Sequence, residues 1–246
     1  MGKLSVTIIT KNEEKNIARC LESVKWADEI IVFDTSSTDR TVEICKKFTD
    51  HVFCVDWHGY GKQKNLCAER ASHKWVLNID SDEVISAEGA DEIRALLLDG
   101  SKHSVYQFPR KNYFGQQWIR YGGWYPDRTS RLYDKTQVSF TESQVHEKLI
   151  PDENVGSLKS PISHYSFSGM KDYIERQNHY STLYAREKMS EGFRAGWSHL
   201  ALRPLAAFFK NYFIRQGFRD GFIGFFLAVS FAFYTFLKYA KTKNIL

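Results

Sequence analysis

Apolar positions in the first hundred residues fall into short runs separated by amphipathic stretches. Residues 4–10 (LSVTIIT), 29–34 (EIIVFD), 51–55 (HVFCV) and 75–80 (WVLNID) are short, apolar and rich in β-branched residues, a pattern that predicts buried strands. Between them lie stretches with helical spacing. Ile17, Leu21 and Val24 give one stripe, opened by Asn12, Glu13 and Glu14, whose charge suits a helix N-terminus. Val42, Ile44, Cys45 and Phe48 supply a second helix, residues 62–72 a third, and Ile93, Leu96 and Leu97 mark a fourth over 88–98. Strand and helix alternating in this way predict an α/β fold with a mostly parallel sheet covered by helices. Ligands of such sheets bind at the carboxyl ends of the strands, here Thr10 to Glu14, Asp34 to Asp39, Asp56 onward and Asp80 to Glu83.

The rhythm changes near residue 104. SVYQFPR reads as a strand, 112–150 as a strand-and-loop insert rich in Tyr, Trp and Gly, and 170 onward as helix. This predicts a catalytic domain over 1–168 and a helical region over 169–246.

Charge sharpens that division. The chain of 246 residues carries a net +5, but residues 192–246 hold eight basic residues and a single acid, Asp220. That stretch is +7, which leaves −2 for residues 1–191, and it contains 15 of the 37 aromatic residues. Residues 221–237 (GFIGFFLAVSFAFYTFL) are an uncharged run of 17, at the lower edge of a membrane span. Lys and Arg interleaved with Phe favour a helix lying in the interface of an anionic bilayer, with a spanning helix and a buried bundle or dimer contact as the alternatives. Nucleic acid is a poor partner, because the basic residues are interrupted by long apolar runs. The four cysteines form no C-x-x-C pair and are expected as buried free thiols. The N-terminus enters a strand directly, so a cytoplasmic body is expected.

Two features carry chemistry. Asp80-Ser81-Asp82-Glu83 follows an apolar strand, and two carboxylates so spaced reach one hard cation, Mg²⁺ or Mn²⁺; the plainer reading is a solvated acidic turn. Asp34 closes another strand, where a carboxylate suits a base or ribose edge, while Thr38 or Asp39 serves as a helix cap. Neither a G-x-G-x-x-G nor a G-x-x-x-x-G-K-[ST] motif is present, which weighs against dinucleotide dehydrogenases and P-loop enzymes.

Taken in order, TIITKNEEKNIARCLESV, EIIVFDTSSTDRT, GKQKN and WVLNIDSDEVIS resemble the family 2 glycosyltransferases of GT-A fold. YFGQQWIRYGGWYPDRTSRLYDK, VHEKL and RQGFRDGFIGF resemble the bacterial lipopolysaccharide core glucosyltransferases, which add a β-linked glucose to inner-core heptose. The chain departs from the pattern at Thr35 and Ser36, where many relatives have a second acid or, in the turn, a glycine.

The resemblance implies an inverting transferase that uses a UDP-sugar donor, a UDP-hexose, with a divalent cation and a lipid-linked core acceptor. It would be peripheral on the cytoplasmic face of the inner membrane. By the same resemblance Thr10, Glu13 and Asp34 hold the uridine, and Lys62 meets the nucleotide or phosphates. Asp82 binds the metal, with Asp80 on the ribose or a metal-bound water. Glu147 is the expected general base and Asp127 the alternative. His146 is expected to orient Glu147, contact a phosphate or add a metal ligand. Arg128 and Arg131 are candidates for phosphate or carboxylate groups of donor or acceptor, or for ion pairs with Asp127 or Asp134. Trp124, with Trp118 and Tyr125, is a candidate to stack on a sugar ring. Transfer to a polyprenyl phosphate, and an inactive sugar-nucleotide-binding scaffold, are the competing functions.

Overall fold

The computed structural model describes residues 2–142, 147–150 and 155–243. The strands and helices in chain order are β1 (Leu4–Thr10), α1 (Ile17–Val24), β2 (Glu29–Asp34), α2 (Thr41–Cys45), β3 (Val52–Cys54), α3 (Tyr60–Glu69), β4 (Trp75–Asp80), β5 (Glu83–Ile85) and α4 (Ala87–Leu98). Then follow β6 (Val105–Phe114), β7 (Gln117–Trp118), β8 (Asp127–Asp134), β9 (Ser139–Phe140), β10 (Leu149–Ile150), β11 (Val155–Ser157) and β12 (Ile162–Phe167). The remainder is helical: α5 (Met170–Ser190), α6 (Trp197–Leu200), α7 (Leu202–Phe209) and α8 (Gly221–Ala240). A π turn at Lys210–Ile214 and a 3₁₀ turn at Gly217–Asp220 join α7 to α8.

Two compact units emerge. The first comprises residues 1–110 and 128–164, the second 111–127 and 165–246. The insert read in the sequence is therefore divided between them.

The main sheet runs β3-β2-β1-β4-β8-β6-β12-β5. Its β3, β2, β1 and β4 are mutually parallel, as the strand–helix alternation predicts. The sheet is mixed beyond β4, because β8 pairs antiparallel with β4 (Leu77 opposite Leu132) and β12 antiparallel with β5. β1 is buried at every position, as a central strand covered on both faces must be. Ile17, Cys20, Leu21 and Val24 of α1 pack against that core beside Ile8, Val32, Leu77 and Ile79. Cys20, Cys45 and Cys67 are buried, and all four cysteines are free thiols.

The loops after β1 and β2 are stitched together. Asn12 Oδ1 accepts from the Thr38 N–H at 2.8 Å, and the Asn12 N–H donates to Ser37 Oγ at 2.8 Å. The Glu13 N–H donates to Thr41 Oγ1 and the Glu14 N–H to Asp39. The polar run TSSTDRT thus spends its side chains on fixing the strand-end loops. Ser36 has φ +61°, a left-handed conformation that glycine adopts most easily. That is the physical sense of the departure at this position: the turn keeps the glycine geometry with a serine in it.

In the second unit, β7 returns on the end of β6 (Tyr113 opposite Trp118), and Phe114, Ile119, Tyr173 and Leu227 form a small core. α7 and α8 lie antiparallel: Arg203 bonds the Tyr239 hydroxyl near one end, and the Phe208 and Phe225 rings meet near the other. Gly217–Lys243 is long and apolar enough to cross a membrane.

Candidate active site

The carboxyl ends of β1 and β4 open on a cavity of about 520 Å³ in the first unit. Thr10, Glu13, Asp80 and Asp82 line it, as the strand-end rule leads one to expect. So do Trp57 from the β3–α3 loop and Tyr60 at the start of α3, whose rings meet edge-on at 4.7 Å. The Thr10 hydroxyl is buried and has no hydrogen-bond partner among the described residues.

Asp34 is only 1% exposed. Its carboxylate accepts from the Ser37 N–H at 2.9 Å and from the Ser37 hydroxyl, so it holds the turn after β2. Its neighbour Thr35 lines the cavity.

Beneath the cavity lies a chain of alternating charges. Lys64, with a side chain only 4% exposed, donates to Glu147 Oε1 at 2.8 Å and sits 3.4 Å from Asp80 Oδ1. Arg131 bonds Asp80 Oδ2 and donates to Glu83 Oε1 at 2.7 Å. Arg110 closes the row, 3.4 Å from Glu83. Three acids and three bases so arranged balance one another. The interior members each bridge two opposite charges, so removing Lys64 or Arg131 upsets both sides of the row. Burial raises the Asp80 pKa, but the Arg131 guanidinium and then the Lys64 ammonium outweigh it and hold the carboxyl well below the usual range.

The GKQKN segment turns a single lysine outward. Lys62 is exposed, whereas Gly61, Gln63 and Lys64 are buried. Asn65 forms two hydrogen bonds with the backbone of Phe140, at 2.8 and 2.9 Å. A Cβ on Gly61 would lie 1.8 Å from the Thr141 carbonyl oxygen and 3.3 Å from Glu147 Cβ. The segment is thus a seat for the chain around Glu147, and Gly61 allows the close approach.

Asp82, with a side chain 17% exposed, lies 3.3 Å from His164 Nε2, and both groups line the cavity. Asp80 is committed to Arg131 and Lys64, whereas Asp82 and His164 stand together on the cavity wall. Among the described residues no three His, Cys, Asp or Glu side chains form a ready metal cage. A carboxylate and an imidazole fit a divalent ion that takes its other ligands from phosphates and water.

Of the remaining candidates, Arg131 is buried in the ion-pair row with Asp80 and Glu83, and Arg128 is exposed. His146 lies outside the described residues. Asp127 and Trp124 belong to the second unit and line a cavity there. Sequence reasoning gave no separate role to Lys64 or to Glu83, although both stand in the motifs quoted, and did not single out His164. For Lys64 a signal was present: Gly61, Lys64, Cys67 and Ala68 recur at helical spacing on one face.

Residues 5–149 match the family model described as glycosyl transferase family 2. An uncharacterized glycosyltransferase of Rickettsia prowazekii (strain Madrid E) is 34% identical over all of this chain and 88% of its own length. The lipopolysaccharide core biosynthesis glycosyltransferase LpsC of Rhizobium meliloti (strain 1021) is 31% identical over 97% of this chain and 91% of its own. Among solved structures, S. aureus TarS 1–349 in complex with UDP superposes with a TM-score of 0.51 at 16% identity, covering 98% of this chain and 92% of that one. That likeness is one of fold.

Proposed function

The chain belongs to glycosyl transferase family 2, and from that premise we propose that it is an inverting hexosyltransferase that moves glucose from UDP-glucose to a heptose of a lipopolysaccharide inner core. The observation that carries this reading is the cavity at the strand ends, with Asp82 on its wall and the Glu147–Lys64–Asp80 row beside it. The GT-A fold supports it, as do the relation to LpsC and the UDP bound by TarS.

Each side chain then has a task. Thr10 and Glu13, with the Trp57 and Tyr60 rings, receive the nucleoside, and the orphaned Thr10 hydroxyl finds a partner there. Asp82 and His164 would hold the divalent cation, which, when bound, supplies charge neutralisation at the departing diphosphate. Lys64 fixes Glu147 through Oε1, which leaves Oε2 to take the proton of the acceptor hydroxyl as it attacks the anomeric carbon. Asp80 anchors the row, and Arg131 anchors Asp80.

The helical region, residues 169–246, is proposed as the membrane-associating part. The stripe Phe222, Phe225, Val229, Phe233 and Phe236 of α8 is exposed, as are Trp197, Leu202, Leu205 and Ile214. Arg203, Lys210 and Arg219 lie between these residues in the sequence, Lys238 follows the last of them, and all suit anionic lipid. The opposite face of α8, including Leu227, Ala228 and Tyr239, is buried, and α5 lies alongside: Tyr173 meets Phe226, and Tyr184 meets Tyr239. α5 bears Lys171, Asp172, Glu175, Arg176, Arg186 and Glu187. A spanning α8 would carry those charges into hydrocarbon, which is costly. A helix lying in the interface on the cytoplasmic side of the inner membrane avoids this.

The test is a screen of UDP-sugars with membrane-extracted core acceptors, read by product mass. A gain of one hexose from UDP-glucose is expected; no gain from any UDP-hexose contradicts the proposal.

A further inference from the structure

Two stretches that the site above leaves unused, Tyr121–Asp127 and Arg215–Gly224, meet around a second cavity, of about 310 Å³, within the second unit. The lone acid of the basic tail joins them. The Asp220 carboxylate accepts from the backbone N–H of Arg120 at 3.1 Å and of Tyr121 at 2.8 Å, and its carbonyl accepts from Gln117 Nε2 at 3.0 Å. The Gly122 N–H donates to the Arg215 carbonyl at 2.9 Å.

Glycines let the walls close. A Cβ on Gly123 (φ +87°) would lie 2.5 Å from the Arg215 guanidinium, and one on Gly224 would lie 1.9 Å from the Gly217 carbonyl oxygen. Neither position accepts a larger residue without displacing its neighbour.

The lining combines two chemistries. Trp124 and Tyr173 present aromatic rings 6.3 Å apart, tilted by 34°. Opposite in character are the Asp127 carboxylate, which accepts from Asn112 Nδ2 at 3.2 Å, and the Arg215 guanidinium, which donates to Asn211 at 3.2 Å. Gln177, from α5, adds a carboxamide oxygen that is buried and has no hydrogen-bond partner among the described residues. A buried acceptor left unpaired costs about 1–3 kcal/mol, and a hydroxyl donor from a ligand removes that cost. Few small molecules offer hydroxyls on one side and a C–H face for an aromatic ring on the other; sugars do. The volume is at the small end of ligand pockets, which limits the occupant to about one ring.

We infer that this cavity binds a single saccharide ring, stacked on Trp124 and held through its hydroxyls by Gln177 and Asp127. Its identification as a ring of the acceptor glycan rests on the transferase reading; sugar binding as such does not.

The experiment is saturation-transfer NMR on the full chain with the methyl glycosides of a hexose and of a heptose, and with decanoate as an apolar probe. Sugar signals are expected from the wild type and from Asp82→Ala. Gln177→Leu, which fills the same space without the acceptor, should weaken binding at least about tenfold with an unchanged melting curve. Gln177→Asn, which shortens the carboxamide, should shift it in the same direction. No sugar signal from the wild type, a signal indifferent to both Gln177 variants, or saturation of decanoate alone overturns the inference. A chain that binds sugar here but transfers none from any UDP-sugar would contradict the transferase reading and leave the pocket standing.

Discussion

The ammonium of Lys64, on α3, is hydrogen-bonded at 2.8 Å to the carboxylate of Glu147, 83 positions later in the chain. The same ammonium lies 3.4 Å from Asp80 at the end of β4. One buried cation therefore ties the proposed base to the strand whose end carries the acidic motif. Lys64→Met keeps the length of the side chain and removes the charge, which lies 5.3 Å from the centre of the Phe140 ring. The expected result is a fall in kcat of about 10²-fold from misplacement of Glu147, with KM for the UDP-sugar little changed and partial rescue by Lys64→Arg. An unchanged kcat would mean that the contact only stabilises the fold.

Gly61 tests the seat directly. Its Cβ position is 1.8 Å from the Thr141 carbonyl oxygen, so Gly61→Ala must push α3 and the chain near Glu147 apart. A displacement of about 1 Å costs on the order of 10²-fold in rate. Single-turnover transfer should slow by that order, while equilibrium binding of UDP persists. Normal turnover by Gly61→Ala would show that the approach is not needed.

Asp134 gives the chain a defined acid sensitivity. Its buried carboxylate accepts from Thr136 Oγ1 at 2.6 Å and the Thr136 N–H at 3.0 Å, and it pairs with Lys74 at 3.0 Å. Burial raises its pKa, but these donors outweigh burial and the net shift is downward. A carboxyl whose folded pKa is depressed adds stability that is fully present above its unfolded pKa. That stability is lost as pH falls through the folded one. Melting temperature against pH should therefore drop less steeply below about pH 4 in Asp134→Asn than in the wild type. Parallel curves would show that Asp134 contributes nothing to acid unfolding.

The tail should respond to charge on its exposed stripe. Phe222 and Phe233 are 69% and 55% exposed. Replacing both with Asp removes two aromatic anchors and adds repulsion from anionic lipid. Flotation with vesicles rich in phosphatidylglycerol should carry the wild type and leave Phe222→Asp/Phe233→Asp behind. Equal flotation of the two would remove the interfacial assignment.

The parallel half of the sheet was legible because its strands are continuous apolar runs and its helices carry one-sided stripes. The Asp80–Asp82 turn was legible because it ends such a run. The antiparallel half was not. β8 lies against β4 through pairs such as Val76 and Tyr133, 57 positions apart, and no local pattern encodes that choice. Arg131 consequently meets Asp80 and Glu83 rather than Asp127 or Asp134, the acids nearest to it in sequence. His164 reaches Asp82 because β12 pairs with β5, itself a three-residue strand without a periodic signature. In the sequence Asp220 is the single acid of a basic tail. Its partners are amides some 100 residues earlier, which no tail-local reading could supply.

Transfer by Glu147→Gln, measured beside UDP binding on the same protein, tests the central claim most directly. If Glu147 takes the acceptor proton, the amide keeps the shape and loses the basicity. Product formation should then fall by about 10²–10⁴-fold while UDP binds as it does to the wild type. Turnover by Glu147→Gln near the wild-type rate would contradict the account.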